Sequence, residues 1–409
     1  IQQNVNPANI FVFEDDTSRP TSFFAKRRFG KNSHEELQDL CKLYKVNLLK
    51  SNVVRNRKEK RSEFGLFLAR HYHFMLDTLL YNGKSTPLYT VSRKNKFLFG
   101  HRDPRQQELH ETIRARNYEY VIILEDDLEL ADDAVNFFNS MTWPMSKDAS
   151  IFCACAHQDN AYHSTSSEEN NVVNTSKIAP VQKERFIFRR GEHFMAPGWM
   201  TSKSIYNSVI RPTWFDLHGE LLPWARVRLY NGNWDTYLDF RVEGMECIYP
   251  AIPRIAHRGA QGYTVRKDRQ DAVFGSLRLS TRDSRAVTGE YYKKQAMELV
   301  HYQYDDNMYK FIKAATVVTC LEEVEKNIRN SNVVYHLAAS SAADNQWIFL
   351  FKAKLGLIAV GGHTPRMRGI HRGTVFLNYM SNLILVVATY SPYSNSVMAK
   401  KRNDNSYIF

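Results

Sequence analysis

Carboxylates crowd the stretch from Tyr118 to Phe138, where an apolar run, Tyr120 to Leu124, leads into Glu125, Asp126 and Asp127. A short apolar run with turn-forming residues after it predicts a buried strand, so the three acids sit at a strand end. In open α/β sheets ligands bind outside the carboxyl ends of the strands, and clustered carboxylates repel one another unless a cation or proton neutralises them. A hard divalent ion with oxygen ligands, Mg²⁺ or Mn²⁺, suits such a cluster. Leu128, Ala131, Val135 and Phe138 follow at spacings of three and four, which predicts that the acids lead into a helix with an apolar face. Acids after a strand also cap helices, so the cluster alone leaves metal binding and capping both open. Phe11-Val-Phe-Glu-Asp-Asp16 repeats the arrangement, and an acidic triplet by itself does not say which turn holds an ion.

Other residues could do chemistry in company. Asp235 follows Trp234 in Gly232-Asn-Trp-Asp-Thr-Tyr237, and an acid desolvated beside a bulky aromatic has its pKa raised toward that of a useful base; a plain surface acid is the alternative. His71 and His73 are two positions apart and face different sides of a helix, so they do not read as a zinc pair. The five cysteines, Cys41, Cys153, Cys155, Cys247 and Cys320, form no C-x-x-C pair, which argues against a structural zinc site.

The elements that must position these groups alternate along the first two-thirds of the chain. Ile10 to Phe13 reads as a strand, His34 to Tyr44 as a helix, Val46 to Leu49 as a strand, Phe64 to Tyr81 as a helix and Tyr120 to Leu124 as a strand. Ile151 to Ala156 and Cys247 to Ile252 read as further strands, joined through a polar stretch, His163 to Thr175, of loop composition. Such alternation predicts an α/β fold with a mostly parallel sheet. The expected boundaries are a catalytic domain over 1–265, a loop and linker over 266–305, and a smaller C-terminal α+β domain over 306–409. That last part is expected to have a helix near Asp344 to Leu355 and strands at Gly373 to Leu377 and Leu383 to Ala388.

At 409 residues the chain is long enough for two cores, and its 43% hydrophobic and 24% charged residues exclude a disordered chain. It has no starting Met and no apolar run of about 18 residues. The 55 Lys and Arg against 43 Asp and Glu give a formal charge of +12. A basic surface can serve nucleic acid, but here the charge is dispersed, and no recognition helix or finger pattern accompanies the local runs at Arg55 to Arg61 and Arg266 to Arg269. Asn174-Thr-Ser176 is one glycosylation triplet, a common one.

Around Glu125 to Phe138 the chain resembles the inverting enzymes of the N-acetylglucosaminyltransferase I family, whose Glu-Asp-Asp motif is followed by Leu-Glu and paired aromatics. Further landmarks follow the family's order and near-family spacing: Ala69-Arg-His-Tyr72, Ser150-Ile-Phe-Cys-Ala-Cys-Ala-His-Gln-Asp-Asn160, Pro197-Gly-Trp199, Trp234-Asp235, Cys247-Ile-Tyr-Pro250 and Gly259-Ala-Gln-Gly-Tyr-Thr264. His371-Arg-Gly-Thr-Val-Phe376 and Leu383 to Val387 are similar, more weakly, to its closing strands. The strand at Ile10 to Phe13 matches the family's second, so the first strand and its helix are expected upstream of residue 1. Asn82 to Arg114 is a basic insertion beyond what the family needs.

The resemblance implies a GT-A-type, Rossmann-like nucleotide-sugar domain and transfer of GlcNAc from UDP-GlcNAc to a terminal mannose of a glycoprotein glycan in β-1,2 linkage. It makes Asp127 the direct ligand of Mn²⁺ and assigns the ribose and sugar hydroxyls to Glu125 and Asp126. Asp235 becomes the catalytic base, with Thr236 standing where some members have a second Asp. Asp15 reads the uracil, His71 lies near the nucleotide, Thr264 donates to the diphosphate, and Trp199 lines the donor or acceptor pocket, with core packing the alternative. The resemblance also implies a Cys153–Cys247 disulfide, hence an oxidising compartment, and a Golgi-lumenal protein with its membrane anchor upstream. A catalytically silent glycan- or nucleotide-binding module of the same fold is the competing expectation.

Overall fold

The computed structural model describes residues 5–14, 33–50, 64–81, 104–158, 186–214, 222, 244–259, 279–280, 289–328, 332–339, 369–379 and 382–405. Among the described residues no helix is long and apolar enough to cross a membrane. The chain forms two compact units, Ile1–Val121 with Thr201–Arg241, and Ile122–Met200 with Val242–Phe409.

In the first unit β1 (Phe11–Glu14) and β2 (Asn47–Lys50) pair in parallel through the crossover helix α1 (Ser33–Tyr44). Helix α2 (Phe64–Leu80) buries Ala69, Tyr72, Leu76 and Leu80, spaced for one helix face, and Phe74 meets Phe13 edge-on at 6.1 Å. The unassigned basic insertion ends in α3 (Pro104–Arg116), with proline at the first position, where no intrahelical N–H is lost. Lys203–Ile205, Tyr206–Ile210 and Arg211–Trp214 form a helical run whose Tyr206 hydroxyl and Arg211 Nε both donate to Asp77 Oδ1, at 3.0 and 2.9 Å. Burial, then the charge of Arg211, pushes the neighbouring His73 down to about 3.

A five-stranded sheet has the order β3 (Tyr120–Ile123), β7 (Trp199–Ser202), β5 (Ile151–Cys155), β8 (Glu246–Pro250) and β6 (Phe188–Gly191). β5 and β8 are parallel, but β7 and β6 run antiparallel to them, so the α/β sheet is mixed rather than mostly parallel. The antiparallel edge was hidden because β6 reads Phe-Arg-Arg-Gly and yet is wholly buried. A second departure concerns Leu128. It opens no helix but starts β4 (Leu128–Leu130), which pairs antiparallel with β9 (Ile255–His257), Leu128 opposite His257. The helix α4 (Ala134–Lys147) begins later with Asp133 at its N-cap, so Glu125, Asp126 and Asp127 do not cap it. Asp133 makes no capping bond; its Oδ2 accepts from Arg254 Nε at 3.2 Å and from the Tyr292 hydroxyl. Tyr292 lies on α5 (Gly289–Met297), and α6 (His301–Ala314) follows, so the expected linker holds helix in its described part.

Farther on, β10 (Thr316–Val318), β11 (Val333–Leu337), β13 (Asn382–Ala388) and β12 (Thr374–Tyr379) form a four-stranded sheet in that order, with β12 antiparallel. Val324, Ile328, Val333, Val375, Leu377, Ile384 and Val386 fill its core together with α7 (Leu321–Asn327). The helix expected near Asp344 to Leu355 lies outside the described residues. The turn into β12 uses two consecutive left-handed residues, Arg372 (φ 48°) and Gly373 (φ 73°), and a Cβ at Gly373 would meet the Tyr390 ring at 2.7 Å.

A buried ionic network ties β6, β8 and this turn together. Arg190 Nε donates to Glu246 Oε2 at 2.5 Å, while its terminal nitrogens donate to Asp148 Oδ2 at 2.6 Å and to the Leu299 carbonyl and Ser150 Oγ, each at 2.7 Å. The other Glu246 oxygen accepts from His371 Nδ1. His371 Nε2 lies 3.1 Å from the Tyr393 oxygen, whose own hydrogen goes to Asp305 Oδ1. His371 thus stands between two carboxylates, Glu246 directly and Asp305 through Tyr393. Burial alone would lower its pKa, but hydrogen bonds to Asp305 and Glu246 raise it. Burial would likewise raise Glu246, yet His371 and Arg190 hold it down to about 2.

The signs of these shifts set a pH window. The depressed carboxylate stabilises the fold above its unfolded pKa of about 4.3 and loses that contribution as pH falls toward 2; raised His371 contributes fully below about 6.5 and loses it at higher pH. The buried His73, whose pKa is lowered, acts with the opposite sign, so the test is a difference: the gap in thermal midpoint between the parent and His371→Gln should be widest below about pH 6.5 and narrow as pH rises. A gap that widens toward pH 8 would refute this assignment.

Candidate metal and donor site

The turn after β3 carries Glu125, Asp126 and Asp127, and the β4–β9 ladder delivers His257 beside it. Because Leu128 faces His257 in register, the residue just before β4 lies next to the end of β9. His257 Nε2 is 3.2 Å from Asp127 Oδ2, and donor atoms of Glu125, Asp127 and His257 all lie within 4.8 Å of one another. The backbone holds this corner together: Arg258 N–H donates to the Asp127 carbonyl at 2.8 Å, and Arg258 Nε pairs with Glu129 at 2.5 Å.

Three observations bear on whether a cation fits here. Asp127 Oδ1 is buried without a hydrogen-bond partner among the described residues, a state that costs about 1–3 kcal/mol unless something fills it. The Asp127 side chain as a whole is 31% exposed, so the carboxylate also opens toward solvent. Position 259 is glycine, and a Cβ there would fall 2.0 Å from Asp127 Oδ2 and 3.0 Å from His257 Cε1. Two carboxylates and an imidazole around a bare backbone make a donor set for a divalent first-row cation. The residues fit the group.

The sequence-derived candidates distribute unevenly. Glu125 and Asp127 belong to the cluster, whereas Asp126 is exposed at the turn. Trp199 is fully buried on β7, edge-on to Phe194 at 5.0 Å, so core packing describes its surroundings. His71 is half-buried on α2 in the first unit. Asp15, Asp235 and Thr264 lie outside the described residues. His257 escaped the sequence reading because its place is set by a cross-strand register. The available signal was a histidine ending the short apolar run from Ile255, two residues before Gly259.

A second cluster is sulfur only. Cys153 and Cys247 are register partners on β5 and β8 with Sγ atoms 2.8 Å apart, and Cys155 Sγ is 3.5 Å from that of Cys153. No disulfide joins the described cysteines, so the implied bridge is not formed in this structure. Burial, then contacts with the other two thiols, raises the Cys153 pKa well above its usual value.

Set beside known proteins, residues 105–330 match the model of the GNT-I family, a span that takes in the acidic turn, both strands of the β4–β9 ladder and the sheet behind them. With more than half of the chain matched, the protein belongs to the GNT-I family, N-acetylglucosaminyltransferases that use a nucleotide-sugar donor and a glycan acceptor.

Proposed function

We propose that this chain is an inverting, metal-dependent β-1,2-N-acetylglucosaminyltransferase on a GT-A-type fold, moving GlcNAc from UDP-GlcNAc to a terminal mannose of a glycoprotein glycan in the Golgi lumen. The observation that carries the metal-dependent reading is the buried Asp127 Oδ1, without a hydrogen-bond partner among the described residues, beside Glu125 and against the bare backbone of Gly259. Bound Mn²⁺ would supply positive charge against the departing diphosphate. Asp127 anchors that ion. Glu125 and Asp126, as acceptors, hold ribose and sugar hydroxyls, and the Thr264 hydroxyl donates to the diphosphate. Asp15 accepts from the uracil N–H, and His71 borders the nucleotide. Trp199 contributes through the packing that shapes the pocket wall. Asp235 removes the proton of the acceptor hydroxyl as that oxygen attacks the anomeric carbon opposite the leaving group, giving a β-linkage from an α-linked donor.

Calorimetric titration of UDP-GlcNAc with Mn²⁺, repeated with chelator, tests this reading. Binding that requires Mn²⁺ supports it; no binding under either condition favours a silent module.

The same lumenal reading has Cys153 and Cys247 joined in the Golgi-lumenal enzyme, which the register favours by setting their sulfurs side by side. Non-reducing peptide mapping should recover the two peptides as one species, reducible with dithiothreitol. Recovery of both as free thiols from lumenal material would count against an oxidising compartment.

A further inference from the structure

We propose that Arg254 is a positioning residue of the donor site, fixing through β9 where the Asp127 carboxylate stands. The inference rests on the donor reading above and adds to it a buried residue outside the acidic turn.

The backbone comes first. Arg254 immediately precedes β9; its carbonyl accepts from the Ala131 N–H at 2.9 Å, and its N–H donates to the Ala156 carbonyl at 2.8 Å. One residue therefore closes the rear of the β4–β9 ladder and ties it to the chain just after β5. The ladder has three rungs, Leu130 with Ile255, Glu129 with Ala256 and Leu128 with His257, and Asp127 occupies the next position. A two-stranded ladder that short is marginal by itself, so its front end stands where its rear end is held. At a rise of about 3.4 Å per residue the two ends are about 10 Å apart.

The side chain then locks the rear end. Arg254 Nε donates to Asp133 Oδ2 at 3.2 Å, and the terminal nitrogens donate to the Tyr292 hydroxyl at 3.0 Å and to the Ile252 carbonyl at 2.5 Å. Tyr292 donates in turn to Asp133 Oδ2, which closes a ring of three buried groups. Burial pushes the Tyr292 hydroxyl up to about 12, so it keeps the proton that it shares with Asp133.

Asp133 argues that the lock serves the ladder. It stands at the N-cap of α4 and makes no capping bond, although an aspartate there ordinarily accepts from the first turn. Its carboxylate is committed to Arg254 and Tyr292 instead. The rigid fork of a guanidinium holds a carboxylate, a phenol and a carbonyl in fixed directions, whereas the ammonium of a lysine turns freely on a flexible stem. Arg254→Lys therefore keeps the charge and loses the aim.

Steady-state kinetics with UDP-GlcNAc, Mn²⁺ and a mannose-terminated acceptor, paired with amide hydrogen exchange, test this in Arg254→Lys and in the milder Tyr292→Phe. Both variants should raise the donor KM, Arg254→Lys by about tenfold or more, and leave the acceptor KM within about twofold of the parent. The amides of residues 255–258 should exchange faster in the variants, while those of β5 and β8 keep their protection. A role confined to stability would lower the active fraction, and with it kcat, and leave both KM values in place. If Arg254→Lys does not fold, Tyr292→Phe decides alone. A donor KM unchanged in the folded variants, or protection lost evenly over the whole sheet, overturns the proposal. Asp127→Ala distinguishes two failures: if it loses donor binding while Arg254→Lys binds like the parent, only the positioning role is wrong; if both bind like the parent, the donor site lies elsewhere and the proposal falls with it.

Discussion

Asp127→Ala should reduce Mn²⁺-dependent binding of UDP-GlcNAc by about 100-fold or more, while Asp235→Asn should leave donor binding intact and lower kcat by about 10²–10⁴-fold. The first magnitude follows because even the partners behind a metal ligand change affinity 10–100-fold when removed, and Asp127 is the proposed ligand itself. The second is the usual contribution of a positioned general base, and because the proposed base would act only as the hydroxyl attacks, its loss would fall on kcat and not on the ground state. Stability should discriminate the two from misfolding. Truncating Asp127 removes a carboxylate whose buried oxygen has no partner among the described residues, so the thermal midpoint should hold or rise. Equal donor affinity in Asp127→Ala and the parent removes the metal assignment. Turnover of Asp235→Asn within tenfold of the parent removes the base.

The largest stability loss is expected from Arg190→Met. The arginine side chain is wholly buried between Glu246 and Asp148, at 2.5 and 2.6 Å, and its removal takes the guanidinium from both carboxylates, leaving Glu246 with His371 and Asp148 with Ser150 and the His301 N–H. Breaking a buried pair by removing one partner costs about 3–5 kcal/mol, more than the pair adds over a well-packed apolar replacement. Arg190→Met should therefore lower the urea midpoint sharply with little change in slope, and the triple variant Arg190→Met, Asp148→Asn, Glu246→Gln should be less unstable than the single one. A loss below about 1 kcal/mol in the single variant would show that the network is not what joins β6 and β8 to the His371 turn.

Periodicity read the first unit well. Helices α1 and α2 and strands β1 and β2 begin and end within a residue or two of their apolar patterns, although only α2 buries a full face and α1 leaves Leu40, Leu43 and Tyr44 exposed. It failed where burial is satisfied by charge or by pairing with a distant strand. Phe188–Gly191 reads as surface because Arg190 carries its own counterions inside with it. Leu128 fits a helical spacing with Ala131 and Val135, yet the partner strand Ile255–His257 claims it for a ladder. The acidic turn was legible as a candidate cation site only beside helix capping, and the placing of Asp133 at the N-cap removes that alternative. Its histidine was not, since no local spacing records which residue lies across a register. The bareness of Gly259 is equally invisible in one dimension; only the approach of Asp127 gives it meaning.

The way the β4–β9 ladder brings Asp127 to His257 also governs how the ion couples to folding. The two residues lie in distant parts of the chain, so an unfolded molecule offers no preformed chelate, and closing so long a loop opposes capture before the ladder exists. The proposed cation would thus be a ligand of the native state alone. At a free concentration about 100-fold above its Kd it would add about 2.7 kcal/mol to the unfolding free energy, acting as a thermodynamic latch on an assembled corner and not as a nucleus for it.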